Sequence, residues 1–324
     1  MTSSAQPAAK KEWTLSEMLA NSPRKLRHVL RAQDFGDRGY ITEIFSIADY
    51  LEKHRCDLMQ GKTLLWFATE PSTRTRLSFS AAARALGGSV EAVSSHDSSQ
   101  EKGESIEDTV LSIAKIGAAD IIVLRHSDED AIWRAAFVSP IPLINGGSGA
   151  VHHPTQALLD VYTIFKTVGK LDGLSIALVG DLKYGRTTNS LAYLLSKFTG
   201  VKIYLVSPGH LRMKGELVYY LHSKCMEPEE MTDLEWVVDK VDVIYQTRKQ
   251  KERSADTSEH QGLSSYTLDR KLVGRMQKGA VILHPLPRNE ELPREIDRLP
   301  QAKYLDQMHY GMLIRTALLA KILG

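Results

Sequence analysis

The sequence of 324 residues lacks the features that mark several classes of protein. Its two cysteines, Cys56 and Cys225, are too few for a disulfide framework or a zinc site of their own. Its 41 basic and 39 acidic side chains leave a formal charge of only +2, which gives no overall basic character for binding nucleic acid. No stretch reaches the roughly 18 consecutive apolar residues that span a membrane. We therefore expect no nucleic acid and no membrane among its partners.

Linkers rich in Gly, Pro or Ser and repeats of fixed period are also missing. Residues 1–11 have no apolar core, so we expect no secretory signal there, and the low cysteine content favours a reducing, cytoplasmic location. The composition, with 43% hydrophobic and 25% charged residues, is that of an ordinary globular protein. At about 100–200 residues per domain, the length predicts one large or two medium domains.

Short apolar runs alternate with amphipathic segments along the chain. Apolar strands are predicted over residues 63–67, 90–93, 120–124, 142–144, 175–179, 201–206, 241–245 and 280–283. Helices are predicted around residues 41–51, 79–86, 155–168, 191–198 and 312–322, with further helix starts at Thr14 and Ser105 and a polar loop over 94–103. Continuous apolar strands between helices indicate parallel sheets covered on both faces. We predict an α/β fold of two lobes, each a parallel β-sheet flanked by helices, joined near residues 146–154.

The residues that follow each strand are the candidates for a functional site, because ligands of open α/β sheets bind at the carboxyl ends of the strands. The first strand is followed by Ser72, Thr73, Arg74 and Thr75 at the start of a helix. The free N–H groups and partial positive charge of a helix start attract anions. An ordinary helix cap beside a surface arginine would explain one such hydroxyl. Four such residues together favour a cradle for phosphate or another oxyanion.

Arginine stands at or just beyond the ends of four strands, as Arg74, Arg125, Arg186 and Arg248. Taken alone, Arg125 is as readily a surface side chain, and the charge run that begins at Arg248 is as readily a solvated face. Residues 180–186 match neither a P-loop nor the dinucleotide fingerprint. These loops contain no evident nucleophile–base pair and no metal-ligand cluster. The pattern therefore predicts a site that binds a pair of anionic substrates and stabilises developing charge with preorganised donors.

Two further segments carry polar groups to the same edge. Pro154 disfavours a helical conformation for His153, which places this histidine at a helix mouth with Gln156 one turn in. Alone, either His152 or His153 is more often a structural residue. Leu286 lies between two prolines, which fix the backbone and leave carbonyl groups to accept a hydrogen bond from an amine.

Taken in chain order, these motifs resemble those of the carbamoyltransferases, from about Leu26 to the C terminus. The matching segments are Ser72-Thr73-Arg74-Thr75-Arg76, Arg125-His126, His153-Pro154-Thr155-Gln156, residues 180–186, residues 248–253 and His284-Pro285-Leu286-Pro287. The first motif and the His-Pro-x-Gln motif are shared by the whole family, and the last two mark its aspartate branch. The ornithine branch typically has cysteine in place of Leu286.

The resemblance implies transfer of the carbamoyl group from carbamoyl phosphate to L-aspartate, the committed step of de novo pyrimidine biosynthesis, without a cofactor or a metal. It implies the carbamoyltransferase fold. Residues 1–150 would form the carbamoyl-phosphate-binding domain, with the C-terminal helix 308–324 packed back on it, and residues 151–307 the aspartate-binding domain.

The resemblance also implies roles for individual residues. Those expected to bind carbamoyl phosphate are Ser72, Thr73, Arg74, Thr75, Ser98, Arg125, His153, Gln156 and Leu286. Those expected to bind aspartate are Lys102, Arg186, Arg248, Gln250, Leu286 and Pro287. The catalytic set would be Arg74, Thr75, Lys102, Arg125 and His153. Glu70 and Arg253 would form a charge contact between the lobes on closure, and the departing phosphate would take the proton of the amine.

Ser98 and Lys102 match loop residues that, in this family, reach into the site of a neighbouring subunit. The resemblance thus implies a homotrimer with shared active sites, and it admits a regulatory chain or pathway enzymes as further partners. One departure is Ala68-Thr69, where many relatives carry an aromatic pair before Glu70. Residues 1–25 extend beyond the minimal catalytic chain and receive no role.

Two alternatives remain at this point. A carbamoyltransferase of the ornithine type is disfavoured because a cationic substrate side chain would meet Arg248. A non-catalytic relative that serves as a scaffold is disfavoured because every matched catalytic position is filled.

Overall fold

The computed structural model describes residues 13–22, 26–94, 99–248 and 266–324. The helices are α1 Leu15–Ala20, α2 Arg38–Lys53, α3 Arg74–Ala85, α4 Ile106–Ile116, α5 Ala131–Val138, α6 Pro154–Val168, α7 Arg186–Leu195, α8 Gly215–Ser223, α9 Leu234–Val237, α10 Arg270–Val273 and α11 Asp306–Leu323. The strands are β1 Thr63–Ala68, β2 Ser89–Ser94, β3 Ile121–His126, β4 Leu143–Ser148, β5 Ser175–Val179, β6 Lys202–Val206, β7 Glu229–Met231, β8 Val243–Gln246 and β9 Val281–Leu283.

The strands form two separate sheets. The first has the order β2-β1-β3-β4 and the second the order β7-β6-β5-β8-β9. Every pair of neighbouring strands in both sheets is parallel. The central strands are buried along most of their length, as the continuous apolar runs require. The predicted fold class, two parallel sheets flanked by helices, is confirmed.

Local sequence signals explain where several helices begin. The Thr14 side chain accepts a hydrogen bond from the Glu17 N–H at 3.3 Å, and the Glu17 carboxylate accepts one from the Thr14 N–H at 2.9 Å. This is the predicted capping box. Ser105 caps α4 by accepting from the Asp108 N–H at 3.1 Å. Both helix starts are confirmed.

The fourth strand is longer than the sequence indicates. Asn145, Gly146 and Gly147 were expected to follow a strand over residues 142–144, but they lie within β4. The Asn145 side chain donates to the Leu30 carbonyl and to the Ser148 hydroxyl, and it accepts from the Gly147 N–H at 2.7 Å. These bonds satisfy a buried polar side chain inside the sheet, which an apolar-run criterion does not anticipate.

Other elements were not predicted at all: α5, α8, α9, α10 and β7. Two of these helices are single turns of four residues, and β7 has the sequence Glu-Glu-Met at an edge of its sheet. Such short or polar segments carry little periodicity. The segment predicted as a loop over 94–103 contains a short 3₁₀ helix at Ser99–Lys102.

The C-terminal helix connects the two lobes. Helix α11 contacts α2 and α3, which flank the first sheet, and α6, which leads into the second. Its residues from Leu313 to Lys321 are buried. No helix within the described part of the chain has the length and apolar character needed to cross a membrane.

Candidate active site

A cavity of about 950 Å³ opens between the lobes at the carboxyl ends of the strands. The predicted site residues that line it are Glu70, Ser72, Thr73, Arg74, Thr75, Arg125, His153, Gln156, Arg186, Arg248, Leu286 and Pro287. They come from six separate segments of the chain. The tertiary structure thus brings together residues that the sequence analysis selected one strand at a time.

The predicted anion cradle lies at the start of α3. Thr73 is the residue before the helix, and its side chain makes no capping hydrogen bond. Thr75 is buried in the first turn. The Thr73 hydroxyl therefore does not cap the N terminus of α3, as it would in an ordinary helix cap. The helix start instead presents N–H groups and hydroxyls to the cavity.

Glu70 lies between two arginines of different lobes. Its Oε2 is 3.2 Å from Arg125 Nη2 and 3.6 Å from Arg186 Nη1. Arg125 also donates to the Gly146 carbonyl at 3.2 Å, and Arg186 donates to the Gly149 carbonyl at 2.8 Å. Both guanidinium groups are largely buried, with 12% and 4% of their side-chain area exposed. They are thus fixed donors, and Glu70 offsets their charge.

Two other arginines also approach each other across the cavity. Burial lowers the pKa of Arg74, and the positive charge of Arg248 lowers it further. Arg74 begins α3 of the first lobe, whereas Arg248 follows β8 of the second. With Arg125, Arg186 and Arg315, five guanidinium groups line one cavity and create a strongly anion-attracting site.

Gly147 is a position in the cavity wall to which the sequence analysis gave no role. Its φ is +118°, and a Cβ atom there would lie 2.9 Å from Arg125 Nη1 and 3.1 Å from the Arg186 guanidinium. Only glycine lets both arginines pack against this backbone. The Gly146-Gly147 pair at a strand end was the available signal.

His153 and Gln156 stand at the first turn of α6, where Pro154 is the first helical residue. The His153 N–H donates to the Ser190 hydroxyl of α7 at 3.0 Å, which ties the two helix starts together. Both side chains are buried and line the cavity. The Gln156 amide donates to Asp160 Oδ1 at 2.8 Å.

Leu286 has a left-handed backbone with φ +55°, rare for a branched apolar residue, and the bond to Pro287 is cis. The Leu286 N–H donates to His284 Nδ1 at 2.8 Å, and His284 Nε2 contacts the Glu291 carboxylate at 3.1 Å. Because Nδ1 accepts, Nε2 carries the proton that is donated to Glu291. Burial lowers the pKa of His284, which favours this neutral form. His284 and Glu291 are supporting residues that the sequence analysis did not assign.

The remaining predicted residues lie elsewhere. Lys102 ends the short 3₁₀ helix, is exposed, and does not line the cavity of its own chain. Ser98, Gln250 and Arg253 lie outside the described residues. Within the described ranges, no group of three or more His, Cys, Asp or Glu side chains is arranged to hold a metal ion.

Comparison with known proteins gives a consistent result over both lobes. Residues 27–166 match the family model "Aspartate/ornithine carbamoyltransferase, carbamoyl-P binding domain", and residues 172–322 match the model of the "Asp/Orn binding domain". The chloroplastic aspartate carbamoyltransferase of Arabidopsis thaliana is 46% identical over 308 residues, which cover 92% of this chain and 78% of that protein. The catalytic subunit from Methanocaldococcus jannaschii is 44% identical over 305 residues, covering 92% and 98%.

Solved structures agree with the sequence comparison. Aspartate transcarbamoylase from Trypanosoma cruzi in complex with carbamoyl phosphate superposes with a TM-score of 0.88 at 35% identity, covering 93% of this chain and 97% of that one. The catalytic subunit of M. jannaschii aspartate transcarbamoylase gives a TM-score of 0.83 at 43% identity, covering 92% and 98%.

Proposed function

The chain belongs to the aspartate/ornithine carbamoyltransferase family, and we propose that it transfers the carbamoyl group of carbamoyl phosphate to L-aspartate. The products are N-carbamoyl-L-aspartate and phosphate, and the reaction commits carbon to pyrimidine biosynthesis. The observation that carries this proposal is the meeting of Arg74 and Arg125 with Arg186 and Arg248 at one cavity. Such a cavity suits one phosphorylated substrate and one dicarboxylate. Solved relatives from T. cruzi contain both substrates, and others contain the product.

In this proposal the first lobe, residues 1–150, binds carbamoyl phosphate. The start of α3 and Arg74 hold the phosphate, together with Ser72 and Thr73. Thr75, Arg125 and His153 donate to the carbamoyl oxygen, where negative charge develops. Gln156 accepts from the carbamoyl NH₂. Since these donors are buried and already fixed, they need little reorganisation as the charge forms.

The second lobe, residues 151–307, binds L-aspartate. Arg186 and Arg248, with Gln250, take the two carboxylates, and Pro287 lies beside them. The Leu286 carbonyl accepts from the amine, which attacks the carbamoyl carbon as the carbon–oxygen bond to phosphate breaks. The amine proton passes to the departing phosphate, so the site needs no separate base.

Glu70 links the two halves. It pairs with Arg125 and Arg186 across the cavity, so anionic substrates compete with it for both guanidinium groups. We infer that substrate binding releases Glu70 toward Arg253, as the family resemblance implies. The Glu70 carboxylate, which offsets the charge of the two arginines before substrate binds, would then form a contact that holds the lobes closed.

The assembly we propose is a homotrimer in which Ser98 and Lys102 complete the neighbouring site. The exposure of Lys102, away from its own cavity, supports this arrangement. A regulatory chain or other pathway enzymes are further proposed partners. We also propose a cytoplasmic location, although the plant relatives are named chloroplastic.

A product assay tests the function directly. Carbamoyl phosphate is offered with L-aspartate and with L-ornithine in parallel, and the carbamoylated product is quantified. We expect carbamoyl-aspartate, and its formation should be suppressed by N-(phosphonacetyl)-L-aspartate. Carbamoylation of ornithine alone would contradict the proposal. A folded trimer that binds carbamoyl phosphate without turnover would instead support the scaffold alternative.

A further inference from the structure

Asp160 is a buried carboxylate that the proposed reaction does not use. It lies on α6, one turn after Gln156, and is fully buried. Its Oδ1 accepts hydrogen bonds from the side-chain amides of Gln156, at 2.8 Å, and of Gln307. Its Oδ2 accepts from the Tyr245 hydroxyl at 2.7 Å. A carboxylate is costly to bury, so three donors on one group indicate a specific structural purpose.

The contact with Gln156 determines which way that amide faces. The two ends of a glutamine amide are similar in shape but opposite in hydrogen bonding, since NH₂ only donates and the oxygen only accepts. An ionised carboxylate only accepts. It therefore selects the orientation in which the Gln156 NH₂ faces Asp160, and this leaves Oε1 to the cavity that Gln156 lines.

We propose that Asp160 is a positioning residue that fixes the amide of Gln156 with its oxygen toward the cavity, so that the site accepts a hydrogen bond from a carbamoyl NH₂. This inference rests on the proposed function, because it explains how that site recognises an uncharged amide end beside several cationic groups. Without Asp160, Gln156 could turn and present a donor instead. The site would then accept a carboxylate as readily as a carbamoyl group.

Asp160 also supports the second lobe, so its loss needs a readout specific to Gln156. The Gln307 side chain accepts from the His284 N–H at 3.1 Å, and His284 in turn accepts from Leu286. Tyr245 lies three residues before Arg248. A general loss of activity in an Asp160 variant would therefore not distinguish positioning of Gln156 from disturbance of these contacts.

Two ligands of nearly the same shape provide that readout. Phosphonoacetamide and phosphonoacetate share a phosphonate and a carbonyl, but only the first has an NH₂ for Gln156. Equilibrium binding of each is measured by calorimetry on the assembled protein at pH 8, where Asp160 is ionised. We expect Asp160→Leu to weaken phosphonoacetamide about tenfold, the size of one lost hydrogen bond, and to leave phosphonoacetate unchanged or tighter.

Three variants control the interpretation. In Asp160→Asn the oxygen can still accept from Gln156, while the new NH₂ faces the Tyr245 hydroxyl, which can turn and accept. We expect this variant to keep the ratio of the two affinities within about threefold of wild type. Thr163→Val removes another buried hydroxyl of α6, one that donates to the Leu159 carbonyl, and should leave the ratio unchanged. In a Gln156→Ala background, Asp160→Leu should have no further effect on the ratio.

Several results would overturn the inference. These are equal weakening of both ligands by Asp160→Leu, a tenfold loss of phosphonoacetamide in Asp160→Asn, or an effect of Asp160→Leu that persists without Gln156. The Asn variant keeps the test available if the Leu variant does not fold. A wild-type protein that binds neither phosphonate would refute the proposed function itself, which is a different outcome from a change in the ratio.

Discussion

At the scale of single residues, the cavity depends on side chains that are held before they meet a ligand. Arg125 is fixed by the Gly146 carbonyl on one side and by Glu70 on the other. Fixed donors contribute most where charge develops during a reaction, because they do not have to reorient. The same residue in a flexible surface loop would bind an anion but would stabilise a transition state less.

Substitution of Arg125 tests this role. We expect Arg125→Ala to lower kcat about 10²–10³-fold, since a buried donor to the carbamoyl oxygen is lost. The control is Arg134→Ala on α5, which removes an exposed arginine that pairs with Glu107 and Asp128. That variant should stay close to wild type in steady-state kinetics. A decrease of less than tenfold for Arg125→Ala would contradict the assigned role.

Asp160 predicts a pH dependence of stability. Burial raises its pKa from 3.8 to about 7, although its hydrogen-bond donors and the charge of Arg315 oppose the shift. Between these values the folded chain keeps the proton while the unfolded chain releases it. The folded state binds more protons in this window. The contribution of Asp160 to the free energy of unfolding therefore falls as pH rises from about 4 to 7, and it is constant above pH 7.

The measurement is urea unfolding of wild type and Asp160→Asn across this range. Other carboxylates titrate in both proteins, so the difference between the two curves isolates Asp160. Relative to Asp160→Asn, we expect the free energy of unfolding of the wild type to fall by on the order of 4 kcal/mol between pH 4 and 7. A difference that does not change with pH would show that Asp160 titrates near its ordinary value.

At the scale of elements, the carboxyl end of β4 determines how closely the arginines can approach. Gly147 is the penultimate residue of this strand, and Arg125 and Arg186 pack against its backbone there. Asn145 holds the turn of the chain by accepting from the Gly147 N–H. The backbone of this strand therefore packs against two guanidinium groups that come from different lobes.

We expect Gly147→Ala to lower kcat/KM by about 10²-fold. The added Cβ would displace both guanidinium groups, and a small displacement of binding groups is enough for a loss of this size. The matched control is Gly117→Ala at the end of α4. It also has a positive φ, +72°, but a Cβ there meets nothing within 4 Å. Gly117→Ala should lose about 1 kcal/mol of stability from backbone strain, measured by thermal unfolding, and Gly147→Ala should lose more. Only Gly147→Ala should lose activity. Equal activity in the two would refute this account of β4.

At the scale of the whole molecule, two lobes supply one cavity, and in the proposed trimer a neighbouring chain completes it. Helix α11 packs on α2, α3 and α6, and its Gln307 accepts from the His284 N–H of the second lobe, so the end of the chain contacts both lobes. Lys102 lies outside its own cavity. If it serves the adjacent subunit of a trimer, each site combines two chains, and defects in different chains can complement each other.

Mixed trimers test this arrangement. Lys102→Ala and Arg125→Ala chains should each be nearly inactive alone. After they are dissociated and reassembled together, about a quarter of the sites in a cyclic trimer would combine an intact cavity with an intact Lys102. We expect activity to return to a corresponding fraction of wild type. No recovery in a sample that native mass spectrometry shows to contain mixed trimers would contradict the shared site.

Much of this organisation follows from short-range signals. The capping box at Thr14 and the cap at Ser105 determine where two helices begin, because their hydrogen bonds join residues three apart. The apolar strands and the alternation with helices determine two parallel sheets. Since the carboxyl ends of parallel strands meet at one edge, the arginines that follow strands of the same sheet had to approach each other. The approach of Arg74 and Arg125 to Arg186 and Arg248 depended on how the two sheets face each other.

The sequence by itself therefore determined the fold class and twelve of the residues that line the cavity. Only the tertiary structure added the others, such as Tyr304, Gln307 and Arg315, and decided how all of them are held. The predicted contact of Glu70 with Arg253 stays a prediction, because Arg253 lies outside the described residues. Among the described residues, Glu70 pairs with Arg125 and Arg186, which the sequence did not indicate. Asp160 bonds to Gln307, 147 residues away, and neither residue stood out by type or spacing. Such contacts depend on the packing of α6, β8 and α11, and periodicity within one element carries no information about which distant side chains will share a buried hydrogen bond.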